Sequence, residues 1–329
     1  MITKVKAPEI YPVVIETEAE NLRSFNFYIV KNEGKLFLVD AGFDDEVSWK
    51  HLLKTLSKNG FSLKDLDAIL LTHSHFDHIG LVNKVTEQHD IPVYVHKDAL
   101  VRLKRDPDFF KRRVKFFNSL YTMMGVEAHL VEMEEARLHW YGEHNERKVI
   151  TDNIHTLKEG DRIFGFDVYE VPGHALDHIV FHHKETETLL VGDHVIKHMS
   201  SNALVDMDIK GNRLKSLITY EKSLERMYDI PTKIAYSGHG ETITNMEKTV
   251  DKKLERINKK GELILQLLYQ PRTPADVAKE IYKDRYESVF PLIMSEVIGH
   301  IDRLVYKGRI KYTVKDGVYY YERARRKRL

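Results

Sequence analysis

At 329 residues the chain exceeds a typical single domain and suits a main domain with an appendage. Hydrophobic residues make up 42% and charged residues 31%, and a formal net charge of +1 gives no global field that would draw in nucleic acid or a membrane surface. With no cysteine, disulfides and thiolate metal sites are excluded, so any metal has to be held by His, Asp or Glu.

The opening MITKVKAPEIYPVVIETE has no continuous apolar segment of leader length. No later run approaches the roughly 18 residues of a membrane span, so a cytoplasmic location with no membrane partner is expected. FNFYIVKNEGKLFLVDAG predicts two strands around an Asn32-Glu33-Gly34 turn, where glycine supplies a positive φ. DDEVSWKHLLKTLSKNGF predicts a helix, with Val47, Leu52, Leu53 and Leu56 at helical spacing and Gly60 as its stop. LDAILLT reads as a buried strand, GLVNKVTEQHD as a helix and IPVYVH as the next strand. This alternation favours an α/β fold with largely buried sheets.

From Lys97 to about Asn153 the pattern changes to a helical, aromatic and basic insertion, DPDFFKRRVKFFNSLYTMMGV, followed by charged EEARLHWYGEHNERK. It reads either as a surface elaboration with one apolar face on a core, or as a lid or dimer contact. Phe109, Phe110, Phe116, Phe117 and Tyr121 would anchor the second arrangement. Strand patterns resume with DRIFGFDVYEVPG, HIVFHHKETETLLVGD and KIAYSGHG, which completes a first domain over 1–250. A helical segment from Glu247 to Lys260 leads on to KGELILQLLYQ, then to TPADVAKEIY with Thr273 as N-cap and Pro274 at the first helical position, then to FPLIMSEVIGHIDRLVYKG. RIKYTVKDGVYYYE is a hairpin around Lys315-Asp316-Gly317. Residues 251–323 are therefore expected to form a winged helix, and 324–329 a basic tail.

The stretch ILLTHSHFDHIG carries the chemistry. His73 and His75 lie two apart, so on an extended chain they point the same way and can share one metal. Asp77 and His78 follow, where the chain turns into a helix, and can face a second ion. Neutral imidazoles and a carboxylate suit zinc, and also iron or manganese. His174 in VPGHALDH, Asp193 in LLVGDH and His239 in AYSGHG each stand at the end of a strand pattern, His239 between glycines that let backbone approach a ligand. Ligands at strand ends along one sheet edge can converge although they are distant in sequence. His178, His182 and His183 are assigned to structure. His194, His198 and Tyr236 are candidate pocket residues whose plainer reading is local hydrogen bonding or aromatic packing.

THSHFDH, PGH, GD and GHG, preceded by LVDAG, together resemble the metallo-β-lactamase superfamily across residues 10–250. The resemblance implies an αββα sandwich with a two-metal site at one sheet edge. It implies one ion held by His73, His75 and His174, another by Asp77, His78 and His239, and Asp193 bridging both. It also implies a catalytic share for Asp77 in orienting the attacking water or moving its proton. Asp40 in LVDAG resembles a carboxylate that fixes a ligand histidine. Oxygen-reducing di-iron members carry a carboxylate where His75 stands, so that branch is disfavoured. With a winged helix after it, the series is similar to the β-lactamase-like protein 2 group. That likeness implies an endoribonuclease, whereas other relatives hydrolyse thioesters, lactones or cofactor esters.

The leading expectation is a hydrolase with two metal ions, zinc before iron or manganese, in which a metal-bridging hydroxide attacks a small-molecule ester, thioester or lactone. A metal-dependent nuclease acting on single-stranded RNA stands second, and a non-enzymatic metal-containing binding or regulatory protein third. Covalent catalysis has no candidate, since no Gly-x-Ser-x-Gly elbow and no cysteine occur. The helix FPLIMSEVIGHIDRLVYKG is mostly apolar, with Arg303 and Lys307 near its end, and offers little for base edges or phosphates. The C-terminal module is expected to pack on the catalytic domain, to flank the pocket or to make a homodimer; KRRVKFF is the better basic patch, which a solvated helix face also explains.

Overall fold

The computed structural model describes residues 6–18, 22–143, 148–199 and 201–324. The expected basic tail, Ala324 apart, lies outside the described residues. Two compact units divide the chain: residues 1–104, 147–201 and 223–251 form the first, and residues 105–146, 202–222 and 252–329 the second.

The first unit holds two sheets. One is β1 (Glu9–Thr17), β2 (Arg23–Asn32), β3 (Lys35–Val39), β4 (Ala68–Leu70), β5 (Val93–His96) and β6 (Ile154–Leu157), side by side in chain order. The other comprises β7 (Arg162–Ile163), β8 (Phe166–Glu170), β9 (Ile179–His183), β10 (Thr188–Gly192) and β11 (Ile234–Ser237), in the order β11-β10-β9-β8-β7. β1 to β3 are antiparallel, and β3 to β6 run parallel through helical crossovers. The hairpin turn between β2 and β3 places Gly34 at φ 77°, as expected of the glycine, and Glu33 also takes a positive φ of 48°.

Side-chain alternation separates two cores. Phe27, Ile29, Leu36, Leu38 and Ile69 face the helices Glu46–Lys58 and Val82–Gln88, which contribute Leu52, Leu56, Val82 and Val85. Their neighbours Tyr28, Val30, Phe37, Val39 and Leu70 face the other way, onto Phe166, Val168, Ile179, Phe181 and Leu190 of the second sheet. The first helix starts where Asp45 Oδ1 accepts the Ser48 N–H at 2.7 Å, and Gly60 follows its end at φ 78°. This is the sheet-on-sheet layering of the αββα sandwich. Strand β1 carries no clear strand signal in the sequence; among the described residues it pairs with β2 alone, and Pro12 is tolerated there because an edge strand needs fewer N–H donors.

The second unit gathers the helices Pro107–Met123, Ala128–Glu143, Pro274–Tyr282 and Phe290–Tyr306, with the hairpin β12 (Ile310–Lys315) and β13 (Val318–Arg323). Glu247–Lys260 and KGELILQLLYQ, read as separate helices, are one helix, Met246–Leu267. Burial of Ile264, Leu265 and Leu268 outweighs the roughly 1 kcal/mol that Gly261 costs in a helix interior. The Thr273 N-cap and the turn at Asp316-Gly317 stand where the sequence places them, and Asp276 completes a capping box with Thr273. Phe109, Phe110, Phe117 and Tyr121 are buried, and Phe116 packs partly buried on the same core. Phe117 and Tyr121 share that core with Phe290, whose ring centroid lies 4.9 Å from that of Tyr121. The insertion thus turns its aromatic face into the core of its own unit. No helix among the described residues is long and apolar enough to cross a membrane.

Candidate metal centre

Four strand ends deliver the candidate ligands. After β4 the chain stays extended through His73 and His75, and His75 then caps the short helix Phe76–Ile79, which carries Asp77 and His78. His174 sits on the turn after β8, Asp193 directly follows β10, and His239 lies two residues beyond β11. The turn out of β10 needs Gly192, at φ 48°, because a Cβ there would come within 2.6 Å of Thr72 Oγ1. Backbone bonds lock these ends together: Gly238 N–H to Gly192 O at 2.9 Å, and Ile179 N–H to Thr72 O at 2.8 Å.

The seven residues assemble as two adjoining clusters, His73, His75 and His174 in one, and Asp77, His78, Asp193 and His239 in the other, with the donor atoms of each within 4.8 Å of one another. In the first, His75 Nδ1 lies 2.9 Å from His73 Nε2 and 3.0 Å from His174 Nε2. In the second, Asp193 Oδ2 is 3.0 Å from His239 Nε2, and Asp193 Oδ1 is 3.4 Å from His78 Nε2. Asp77 Oδ2 stands 3.6 Å from His78 Nε2 and 3.5 Å from His239 Nε2. Asp193 also reaches the first cluster, 3.6 Å from His174 Nε2, so its carboxylate lies between the two.

Electrostatics separates the clusters. Burial, and then the neighbouring imidazoles, hold His73 and His75 well below the usual histidine range, in the neutral form that binds metal. Burial opposes charge on His78 and His239 as well. There the Asp193 carboxylate outweighs it, helped at His78 by Asp77 and Asp40, and both are raised. Burial would raise Asp193 in turn, but His78 and His239 overcome it and keep the carboxyl ionised.

The residues fit metal ions. Three imidazole nitrogens facing one another across about 3 Å satisfy each other poorly as donors and acceptors, whereas a tetrahedral zinc with bonds of about 2.0–2.1 Å separates its ligands by only a little more. His78 Nε2 and Asp193 Oδ1 are buried without a hydrogen-bond partner, and both face the second cluster. The donor set is nitrogen and oxygen throughout, which suits zinc, iron or manganese.

Surrounding groups set the ligands' orientation. His78 Nδ1 donates to Asp40 Oδ2 at 2.8 Å, so the carboxylate in LVDAG does fix a candidate ligand histidine. His73 Nδ1 contacts Thr72 Oγ1 at 3.0 Å and His239 Nδ1 donates to Ser24 O at 3.0 Å, in each case leaving Nε2 for the cluster. Asp177 and His178 also touch the centre. Asp177 Oδ2 accepts the Ser74 N–H at 2.8 Å; His178 Nε2 accepts the Asp193 N–H at 3.1 Å while its ring stacks 4.6 Å from that of His73. His194 is turned away, its Nε2 3.1 Å from Ser223 O, and Tyr236 packs on Tyr28. The ring of His198 lies against Gly240, next to His239.

Residues 22–239 match the metallo-β-lactamase superfamily. The probable metallo-hydrolase YqjP of Bacillus subtilis (strain 168) is 30% identical over 279 residues, spanning 84% of this chain and 86% of its own. A β-lactamase-like protein 2 homolog of Drosophila melanogaster is 24% identical across 94% of this chain and 92% of its own. The crystal structure of the metallo-β-lactamase family protein TTHA1429 from Thermus thermophilus superposes with a TM-score of 0.76 at 24% identity, covering 96% of this chain and 98% of that one. The chain belongs to the metallo-β-lactamase superfamily and is a hydrolase of that family.

Proposed function

We propose that this hydrolase holds two metal ions, zinc in the first instance, and acts on a small-molecule ester, thioester or lactone. The observation that carries the two-ion assignment is the pair of adjoining clusters with the Asp193 carboxylate between them. His73, His75 and His174 would hold one ion, Asp77, His78 and His239 the other, with Asp193 shared. Ions held there would supply an activated water at neutral pH and polarise a carbonyl oxygen. Asp77, more exposed than Asp193, would be the carboxylate to orient a water and take its proton. Asp40, Thr72, Ser24 and His178 keep the ligand lone pairs aimed inward.

The charge beside His239 supports a small substrate over RNA. Arg23 and Lys197 near His239 are both bonded to Glu241, at 2.9 and 2.6 Å, so neither charge is left unneutralised for a phosphate backbone. In the second unit Arg303 is buried and bonded to Glu221 and Asn258, and Lys307 is bonded to Glu221.

The test is elemental analysis of protein purified without chelator, followed by parallel assays on thioesters, lactones, phosphodiesters and single-stranded RNA, with and without chelator. About two equivalents of metal and chelator-sensitive acyl hydrolysis are expected. Metal far below one equivalent, or turnover on RNA alone, would overturn the proposal. His73→Ala and His75→Ala should each abolish tight metal binding and turnover.

A further inference from the structure

We infer that Asp177 is the buried counter-charge of the cluster formed by His73, His75 and His174, a positioning residue that acts through the Ser74 amide and strengthens the hold of that cluster on a divalent cation. The inference rests on the two-ion reading above and concerns one of its two sites.

Four aspartates are buried among the described residues, and three of them have basic partners. Asp40 bonds to His78, Asp193 lies between His78 and His239, and Asp302 pairs with Arg213 and Lys215. Asp177 differs. It is 1% exposed, and among the described residues no lysine, arginine or histidine forms an ion pair with it. Its Oδ2 accepts the Ser74 N–H at 2.8 Å, while its Oδ1 is buried without a hydrogen-bond partner. Burying a carboxylate on one hydrogen bond is costly unless a positive charge stands near it.

A cation held by the first cluster would supply that charge. Ser74 lies between His73 and His75, so the amide bound to Asp177 belongs to the loop that carries two of the three ligands. His174 precedes Asp177 on one segment, which closes through Val171 N–H to His178 O at 2.9 Å. His178, the next residue, accepts the Asp193 N–H at 3.1 Å and fastens the segment on its other side. The three ligands are imidazoles and bring no negative charge of their own to a cation. Asp193 comes within 3.6 Å of His174 Nε2, but it is shared with His78 and His239. The second cluster contains Asp77 as well as Asp193, and Asp40 stands behind it. Asp177 thus gives the charge-poor cluster what Asp40 gives the other, a fixed carboxylate one hydrogen bond behind the ligands.

The test compares Asp177→Asn and Asp177→Ala with the parent, as full chains, metal-free and loaded with zinc. Asn keeps the shape and an oxygen for the Ser74 N–H but removes the charge; Ala removes both. Competition with a chromophoric chelator should show one zinc site of Asp177→Asn weakened about 10- to 100-fold and the other unchanged. Urea unfolding gives a readout that turnover does not enter. Metal-free Asp177→Asn should unfold at the same urea concentration as the metal-free parent or a higher one, and zinc should raise its midpoint by less. If Asp177→Asn does not fold, the zinc-induced rise in midpoint is compared between Asp177→Ala and the parent. Two zinc ions held by Asp177→Asn as tightly as by the parent, or an equal loss of stability with and without zinc, mark a purely structural acceptor and overturn this inference alone. A parent that takes up no zinc overturns it together with the two-ion reading. One weakened zinc site in a parent-like fold, with no ester hydrolysed by the parent, upholds it and overturns the hydrolase reading.

Discussion

His78 donates its Nδ1–H to Asp40, 2.8 Å away, and the same carboxylate accepts the Thr72 N–H at 2.8 Å and the Thr72 hydroxyl. A carboxylate can only accept, so the Nε2 lone pair of His78 is committed to the cluster side. Replacing Asp40 with Asn removes the charge and allows a donor to face Nδ1. Zinc affinity at the His78 cluster should fall about 10- to 100-fold, with the His73 cluster retaining its ion. Asn is the suitable probe because Asp40 has φ 62°, a conformation Asn tolerates and Ala resists. Competition against a chromophoric chelator measures the effect, and two unchanged affinities would refute it.

Gly238 has a different dependence on the same centre. A Cβ there would come within 2.3 Å of Asp193 Oδ1 and 2.7 Å of His78 Cε1, both packed in the interior. Gly238→Ala is therefore expected to displace the carboxylate lying between the clusters. Metal content should drop from two equivalents towards one, with circular dichroism unchanged. Full occupancy by both ions would show that Asp193 has room to yield.

How much of this was legible follows from how local each signal is. THSHFDH declares four candidate ligands within six residues, and His174, Asp193 and His239 are betrayed by glycines at strand ends. Asp177 left no such mark: its partner is the Ser74 backbone, 103 positions away, so only the fold reveals it. His178 reads as an ordinary core histidine, yet it fixes the Asp193 backbone and stacks on His73. Alternating strands and helices make the α/β class legible, but the split into two cores is not, because Phe27 to Val30 are all apolar and only the fold shows which side each faces. The partner of the insertion was not: an apolar helical face announces that it is buried, not that Phe290 lies against it.

Arg303 shows why a cation in sequence need not be a cation for a ligand. Its Nε and Nη2 bond to the two oxygens of Glu221 at 2.7 and 2.5 Å, Nη2 also reaches Asn258 Oδ1 at 2.6 Å, and the residue is 4% exposed. Arg303→Leu leaves Glu221 without its main partner and should cost about 3–5 kcal/mol, while the double change with Glu221→Leu should recover much of that loss. Urea unfolding of the two single variants, the double variant and the parent supplies the cycle. A double variant as unstable as the sum of the singles would mean the pair is not coupled.

Lys253, on the helix Met246–Leu267, gives the protein a pH-dependent stability that does not involve the metal centre. Its side chain is 2% exposed, and burial, with a smaller push from Arg256, brings its pKa down to about 7. Below that value the ammonium is charged in both folded and unfolded chains, and the folded state bears the whole cost of burying it. Between about 7 and the ordinary lysine value the unfolded chain holds a proton that the folded one has released, so stability rises with pH across that window. Lys253→Met removes the titrating group and keeps the bulk. The variant should be more stable than the parent by up to roughly 4–5 kcal/mol near pH 6, and the gap should narrow steadily towards pH 10. Urea unfolding at several pH values measures it, and a gap that stays constant from pH 6 to 10 would mean the lysine is not titrating there.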